Sequence, residues 1–446
     1  MKLKNTLIVS NLFASLVIAP VTSAQSLQEA IQLTISENPE IQSAISERSA
    51  VENEITQARA GYFPTIDISA GIGWEQSSNN ATRSRDDGTV SYGREEASIE
   101  LRQMVFDGMA TSSEVNRHKA RTNARAYSVF GTSENTALKA VDAYIDVLRR
   151  QELVALAKDN LLVHQKTNDQ IQLRSKRGIG RRADADQSMG RLALAEKNTL
   201  AEVGNLQDAE TTFLRVVGVL PVDLQPVTPP TDAIPETLDI GIEQALANHP
   251  TLKSANADID SAFAQHATAK APYLPRIDIE AGATHNVDLD GTKGKNEDTF
   301  VMLRLRYNLL NGGKDLARRK ETSQRINQAK DIRDNTYRQV METMRLSWVA
   351  HKTIHNQMNF FKIHRDSSIK SNIAYQKQFN IGKRTLLDLL DSANEMFVSK
   401  SAFASAKYDK LFAQYRILSS KGALNNYLEI KLPDEAHPLD GYKKVY

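Results

Sequence analysis

Gly61-Tyr62-Phe63-Pro64-Thr65-Ile66-Asp67-Ile68 and Pro272-Tyr273-Leu274-Pro275-Arg276-Ile277-Asp278-Ile279 are two copies of one junction. At each, an alanine-rich pattern of period 3.6 stops at a proline and a pattern of period 2 begins. Proline ends a helix because it lacks a backbone N–H, and strict alternation marks a strand with two unlike faces. A helix that feeds straight into a strand, twice in 446 residues, predicts a tube whose wall changes type partway along.

Downstream of the first junction, Ile66, Ile68, Ala70, Ile72 and Trp74 alternate with Asp67, Ser69, Gly71, Gly73 and Glu75. Residues 77–91 are polar and turn-rich and read as an exposed loop. A second alternating run sets Ala97, Ile99, Leu101, Gln103 and Val105 against Ser98, Glu100, Arg102, Met104 and Phe106, so residues 64–106 read as a β-hairpin. After the second junction a matching hairpin is expected over 275–310, where Val301, Leu303, Leu305, Tyr307 and Leu309 alternate with Met302, Arg304, Arg306 and Asn308.

Each hairpin is followed by a long stretch without breakers. One runs over 109–177 to Gly178-Ile179-Gly180, the other over 313–380 to Ile381-Gly382. At 1.5 Å rise per residue each is on the order of 100 Å long, far beyond a globular helix and suited to coiled-coil-like packing. Shorter return helices are expected over 183–217 and 385–421. Five of the thirteen prolines fall in 221–237, which reads as a linker, and residues 423–446 read as a peripheral C-terminal tail. The halves, 25–220 and 238–422, align without gaps from Pro39 with Pro250 through Tyr62 with Tyr273, Pro64 with Pro275 and Ala70-Gly71 with Ala281-Gly282, a signature of internal duplication.

Composition narrows the function. Net charge is +2 with signs mixed throughout, which gives no basic surface for nucleic acid. Residues 1–24 have Lys2 and Lys4, an apolar run and Val21-Thr22-Ser23-Ala24, the plan of a secretory signal peptide. Zero cysteines exclude disulfides, thiolate metal sites and a lipid-modified cysteine at the mature N-terminus. No later run approaches the length of a membrane-spanning helix, so any membrane must be crossed by strands. One strand face is apolar and the other carries Asp67, Glu75, Glu100, Arg102, Asp278, Glu280, Arg304 and Arg306. That suits lipid outside and water inside. Four strands fall short of the roughly eight that close a transmembrane barrel, and open edges are not tolerated in hydrocarbon, so subunits must combine.

The duplicated helix, Tyr-x-Pro junction and hairpin, the two long helices and Ile381-Gly382-Lys383-Arg384-Thr385-Leu386-Leu387-Asp388-Leu389-Leu390-Asp391 closely resemble the TolC family of outer-membrane channels, over essentially the whole mature chain. The resemblance implies a mixed α and transmembrane β fold: a homotrimer whose twelve strands form a barrel in the outer membrane, continuing into a periplasmic helical barrel that narrows at its inner end. It implies no enzyme and no cofactor. The implied role is an exit duct that docks with a periplasmic membrane-fusion adaptor and an inner-membrane transporter of ABC type, for type I protein secretion. Small-molecule efflux and a structural periplasmic coiled-coil spacer stay open as alternatives.

The resemblance also assigns residues. Gly178, Gly180, Ile381 and Gly382 would form the periplasmic tip turns for adaptor docking. Asp388 and Asp391, three apart on one helix face, would form a charged ring at the entrance, although two aspartates near a helix start also complement its dipole. Arg384 and Asp186 would latch the tip. Phe379 stands where the family has a tyrosine in that latch, so the latch is expected to be weaker or to be built differently, through Arg181, Arg182 or Lys383. His351 and His355 are four apart on a helix but lack the rest of a metal motif, and read as a solvated face.

Overall fold

The computed structural model describes residues 24–85 and 88–441. The expected signal peptide lies outside them but for Ala24. The chain opens with helices α1 (Leu27–Glu37) and α2 (Pro39–Ala60). Ser26 and Glu29 close a capping box on α1, and Asn38 caps α2 with Pro39 in its first turn, where the missing N–H costs nothing.

Past the first junction come strand β1 (Thr65–Ser77), a short helix α3 (Asn80–Ser84) and strand β2 (Val90–Phe106). Helices α4 (Ala110–Lys176) and α5 (Arg182–Val217) follow. The second half repeats the order as α6 (Leu238–Asn248), α7 (Pro250–Thr268), β3 (Arg276–Val287), β4 (Lys295–Arg306), α8 (Lys314–Asn380) and α9 (Leu386–Ser420), before a last turn α10 (Leu424–Tyr427). Helices α4 and α8 have 67 residues each, about 100 Å at helical rise.

The strands form one antiparallel sheet in the order β1-β2-β3-β4. β1 and β4 are its edges, each paired on one side only. A bulge between Met104 and Phe106 of β2 bends the sheet where it leaves the helices. The helices keep the same lateral order. α4 packs on α2, α5, α7 and α9, while α8 packs on α6, α7 and α9. One flank of the chain is thus β1, α2 and α5, and the other is β4 and α8.

The main core lies at mid-length, where α1, α4, α5 and α9 converge on Tyr144, Phe213, Ile31 and Leu418. The Tyr144 hydroxyl donates to the carbonyls of Gln25 (2.6 Å) and Gln225 (2.9 Å). It thereby pins the 221–237 segment, whose Leu224, Val227 and Ala233 pack on the same core.

One sequence expectation is corrected and another is refined. The C-terminal segment is not peripheral over its described part: Leu424, Ile430 and Ala436 are buried, and Glu134 of α4, itself buried, accepts from the Leu424 and Asn425 N–H groups. The stretch over 77–91 is exposed at most of its described residues, as expected of a loop, but Asn80–Ser84 form α3 and Thr82 is fully buried against Gly291 of the other hairpin. The Asn79 side chain donates to the Asp290 carbonyl (2.7 Å) and Arg85 to the Gly291 carbonyl (2.7 Å), so the two hairpin tips are tied together.

Candidate functional site

The junctions place the strands. Tyr62 and Phe63 precede Pro64 and β1, and Tyr273 and Leu274 precede Pro275 and β3; all four large side chains are exposed at the base of the sheet. Arg319 of α8 lies over the Tyr273 ring at 5.7 Å. Gly108 joins β2 to α4 with φ +71°, and a Cβ there would stand 2.5 Å from the Ala271 carbonyl oxygen, so the β2–α4 turn packs on the start of the second junction through a position that only glycine fits.

Above this level the sheet has two unlike faces. Ile68, Ile72, Val301 and Leu303 are among the most exposed apolar side chains, Ile72 at 85%, although they sit on regular strands where such residues normally face a core. All eight predicted lumen charges lie on the other face. Asp278 is fully buried there and Glu280 nearly so. Arg276 (2.9 Å) and Arg306 (2.8 Å) bind Asp278; Arg304 (2.5 Å), Arg306 and Arg102 (3.4 Å) bind Glu280. Glu100 holds Arg102 at 3.1 Å, and Glu75 meets Arg94 at 2.7 Å. Asp67 stands directly opposite Glu100. An apolar face turned to the surroundings with a charged face behind it is the reverse of a soluble sheet, and it fits lipid outside and water inside. No described helix is long and apolar enough to cross a membrane.

At the other end, about 100 Å away along α4 and α8, the helical hairpins turn. Gly178 (φ +75°) and Gly382 (φ +76°) take the left-handed conformation that ends each long helix. Gly180 sits close against the Arg174–Ser175 backbone, and Ile179 and Ile381 project, 76% and 66% exposed. Asp388 closes a capping box with Thr385 at the start of α9. The Thr385 hydroxyl and backbone N–H hold its carboxyl below the usual carboxylate range, so in one chain it does the capping job. Asp391 is more exposed and accepts from Arg191 of α5 at 2.7 Å.

Within the chain Arg384 and Asp186 do not meet. Arg384 donates to the Gln378 side chain (3.0 Å), stacks on Tyr375 (4.4 Å) and lies 3.9 Å from Asp388. Two contacts that sequence reasoning missed join the hairpins instead. One is the Arg191–Asp391 pair. The other is Phe379, which packs on Ile171, Ala185, Leu386 and Leu390 with Arg174 5.5 Å from its ring centre. Each hairpin also has its own staple, Ser188 donating to Asn168 (2.9 Å) in the first and Asn372 to Ser392 (3.1 Å) in the second.

The His351 and His355 rings lie 6.0 Å apart, tilted at 46°, and burial with the neighbouring His355 and Lys410 charges keeps His351 below its usual pKa. Among the described residues no group of three or more His, Asp or Glu side chains is placed to hold a metal ion.

The outer membrane efflux protein family model matches residues 30–219 and 241–423. The outer membrane efflux protein BepC of Brucella suis is 25% identical over 380 residues, 84% of this chain and 80% of its own. The alkaline protease secretion protein AprF of Pseudomonas aeruginosa is 24% identical over 413 residues, 90% of this chain and 85% of its own. Among solved structures, the outer-membrane channel OprN superposes with a TM-score of 0.77 at 16% identity, over 89% of this chain and 90% of that one.

Proposed function

The chain belongs to the outer membrane efflux protein family, and from that premise we propose that three copies form a continuous exit duct for the polypeptide substrate of a type I secretion system. The observation that carries the duct is the sheet, apolar on its exposed face, charged on the other, and open at β1 and β4. Open edges in hydrocarbon leave backbone groups unsatisfied, and β4 of one copy pairing with β1 of the next removes them. Twelve strands fall within the range of outer-membrane barrels. Because helices and strands share one lateral order, the same step around the axis sets α8 of one copy beside α2 and α5 of the next. The strand barrel then continues as a helical barrel into the periplasm.

The tip is the docking end. The exposed Ile179 and Ile381 offer apolar contacts to a periplasmic membrane-fusion adaptor, itself joined to an inner-membrane transporter of ABC type that supplies the energy. Asp388 and Asp391 from three copies would ring the entrance, with Arg191 bound to Asp391 while it is narrow. Arg384 and Asp186, apart within one chain, would act as a latch between neighbouring copies. Likeness over nine-tenths of the chain to AprF, named for alkaline protease secretion, supports polypeptide cargo. Likeness to the efflux protein BepC supports small-molecule efflux as the second reading.

Purified protein should run as heat-resistant trimers from the outer-membrane fraction and conduct in planar bilayers; a monomer without conductance would refute the duct. Deleting the gene should empty the secreted fraction of one or a few polypeptides. Unchanged secretion together with raised drug susceptibility would decide for efflux.

A further inference from the structure

The charged face of the sheet is sorted by height. Counting rows up from the helices, Arg276 stands opposite Arg306, then Asp278 opposite Arg304, then Glu280 opposite Arg102. The next rows bring Asp67 opposite Glu100, Asp298 opposite Thr284, and Glu96 opposite Gly71. Like charges directly across a ladder destabilise it, yet the first row sets arginine against arginine and the fourth sets acid against acid.

The base rows are also sorted by depth. Asp278 and Glu280 are 0% and 3% exposed, while Arg102, Arg276, Arg304 and Arg306 keep side-chain exposures of 46%, 52%, 42% and 45%. The acids lie underneath and the guanidinium groups lie on top. A guanidinium has five N–H donors, and the bonds to Asp278 and Glu280 use only some of them. Asp107, at the foot of β2, is occupied by the N–H (2.7 Å) and hydroxyl (2.5 Å) of Thr111. Glu100 also shares Arg102 (3.1 Å), so the four guanidinium groups are balanced by carboxylates beneath and beside them, and what faces outward from the wall is their unused N–H donors.

We propose that these arginines form a collar at the periplasmic end of the β-barrel that transiently binds carboxylate-rich segments of passing cargo, with Asp278 and Glu280 as the buried struts that hold it. This rests on the reading that the charged face lines the lumen of a three-copy barrel. Without the struts four neighbouring arginines would repel one another. With them the side chains are fixed by paired, charge-assisted bonds, and their remaining donors point at the lumen. Glu75 and Glu96 higher up are paired with Arg94, while Asp67 and Asp298 above the collar repel the same segments, so the collar holds them only briefly.

The test uses wild-type trimers in planar bilayers, with a decaglutamate peptide added on the barrel side at about 0.1 M salt, where charges act over about 10 Å. Wild type should be blocked, and the block should vanish at about 1 M salt. Arg304→Gln with Arg306→Gln should raise the half-blocking concentration about tenfold. Asp278→Asn with Glu280→Gln, which removes the struts, should raise it too. Because removing arginines alone leaves acids buried and unpaired, the fourfold variant that neutralises both signs is run beside them. It too should lose the block while staying a heat-resistant trimer. Equal block in wild type and the fourfold variant, or no block of a conducting wild type, would overturn the collar and leave the duct standing. Absence of any wild-type conductance would overturn both.

Discussion

Glu134→Gln should abolish a loss of stability on raising the pH. The Glu134 side chain is 2% exposed, and its carboxylate accepts from Leu424 N (3.1 Å) and Asn425 N (3.0 Å), with no ion pair to a cation among the described residues. Burial outweighs those bonds and pushes its pKa from 4.5 up to about 7. The folded chain therefore holds this proton more tightly than the unfolded chain. Its stabilising contribution is complete below the ordinary value near 4.5 and is lost as pH rises through about 7. A shift of that size corresponds to about 3 kcal/mol per chain, to order of magnitude. Glutamine keeps the shape and one acceptor and cannot ionise. Burial holds His164 and His249 below their usual values, so they act in the opposite sense, losing stability as pH falls, and they cancel between variant and wild type. The assay is thermal unfolding of detergent-solubilised trimers followed by circular dichroism from pH 4.5 to 8. Wild type should fall by several degrees relative to the variant across that window. Parallel curves would refute the reasoning, as would a variant unable to hold its C-terminal segment against limited proteolysis at pH 5.

Other expectations rest on single positions. Gly108→Ala forces a non-glycine residue to φ +71° and its Cβ to 2.5 Å from the Ala271 carbonyl; left-handed strain and overpacking together should cost about 2–5 kcal/mol, seen as lost trimer yield, and wild-type yield would contradict the contact. Ile72→Arg on the exposed apolar face should cost about 2–4 kcal/mol of membrane insertion, measured as outer-membrane yield, whereas Ser69→Arg on the opposite face should insert normally. Arg191→Ala removes a half-exposed ion pair worth about 0.5 kcal/mol, or about 1.5 kcal/mol over three copies, enough to shift an opening equilibrium about tenfold. Single-channel recordings should show raised mean conductance, and identical recordings would rule out a role for the pair in closing the tip.

The parts legible in the sequence are those written locally. Strand faces follow from the alternation around Ile68 and Asp67, and long helices from the lack of breakers before Gly178 and Gly382. Contacts between residues far apart in sequence leave no such trace. Nothing local pairs Arg191 with Asp391 or brings Arg174 over Phe379, because those meetings depend on how two hairpins lie side by side. The missing tyrosine at Phe379 told that the tip would be joined differently, but not by which residues. The C-terminal segment misled for a related reason: its prolines and charges look solvated, and only the packing of Leu424 and Ile430 into the main core, with Glu134 bonding the Leu424 and Asn425 N–H groups, reveals it as core. The acids at 278 and 280 could be assigned to a face, while their burial beneath arginines of β2 and β4 came from register.

The two flanks of the chain, β1 with α2 and α5 on one side and β4 with α8 on the other, are different surfaces, so in the proposed trimer every copy meets its neighbours head to tail. This has a genetic consequence. A copy damaged only along β4 still offers a sound β1 flank and is recruited into rings it cannot close. Expressed in equal amounts with wild type, such a copy leaves about one-eighth of trimers intact under random mixing. Lesions on one flank should therefore behave as dominant, whereas lesions that keep the chain from folding should behave as recessive.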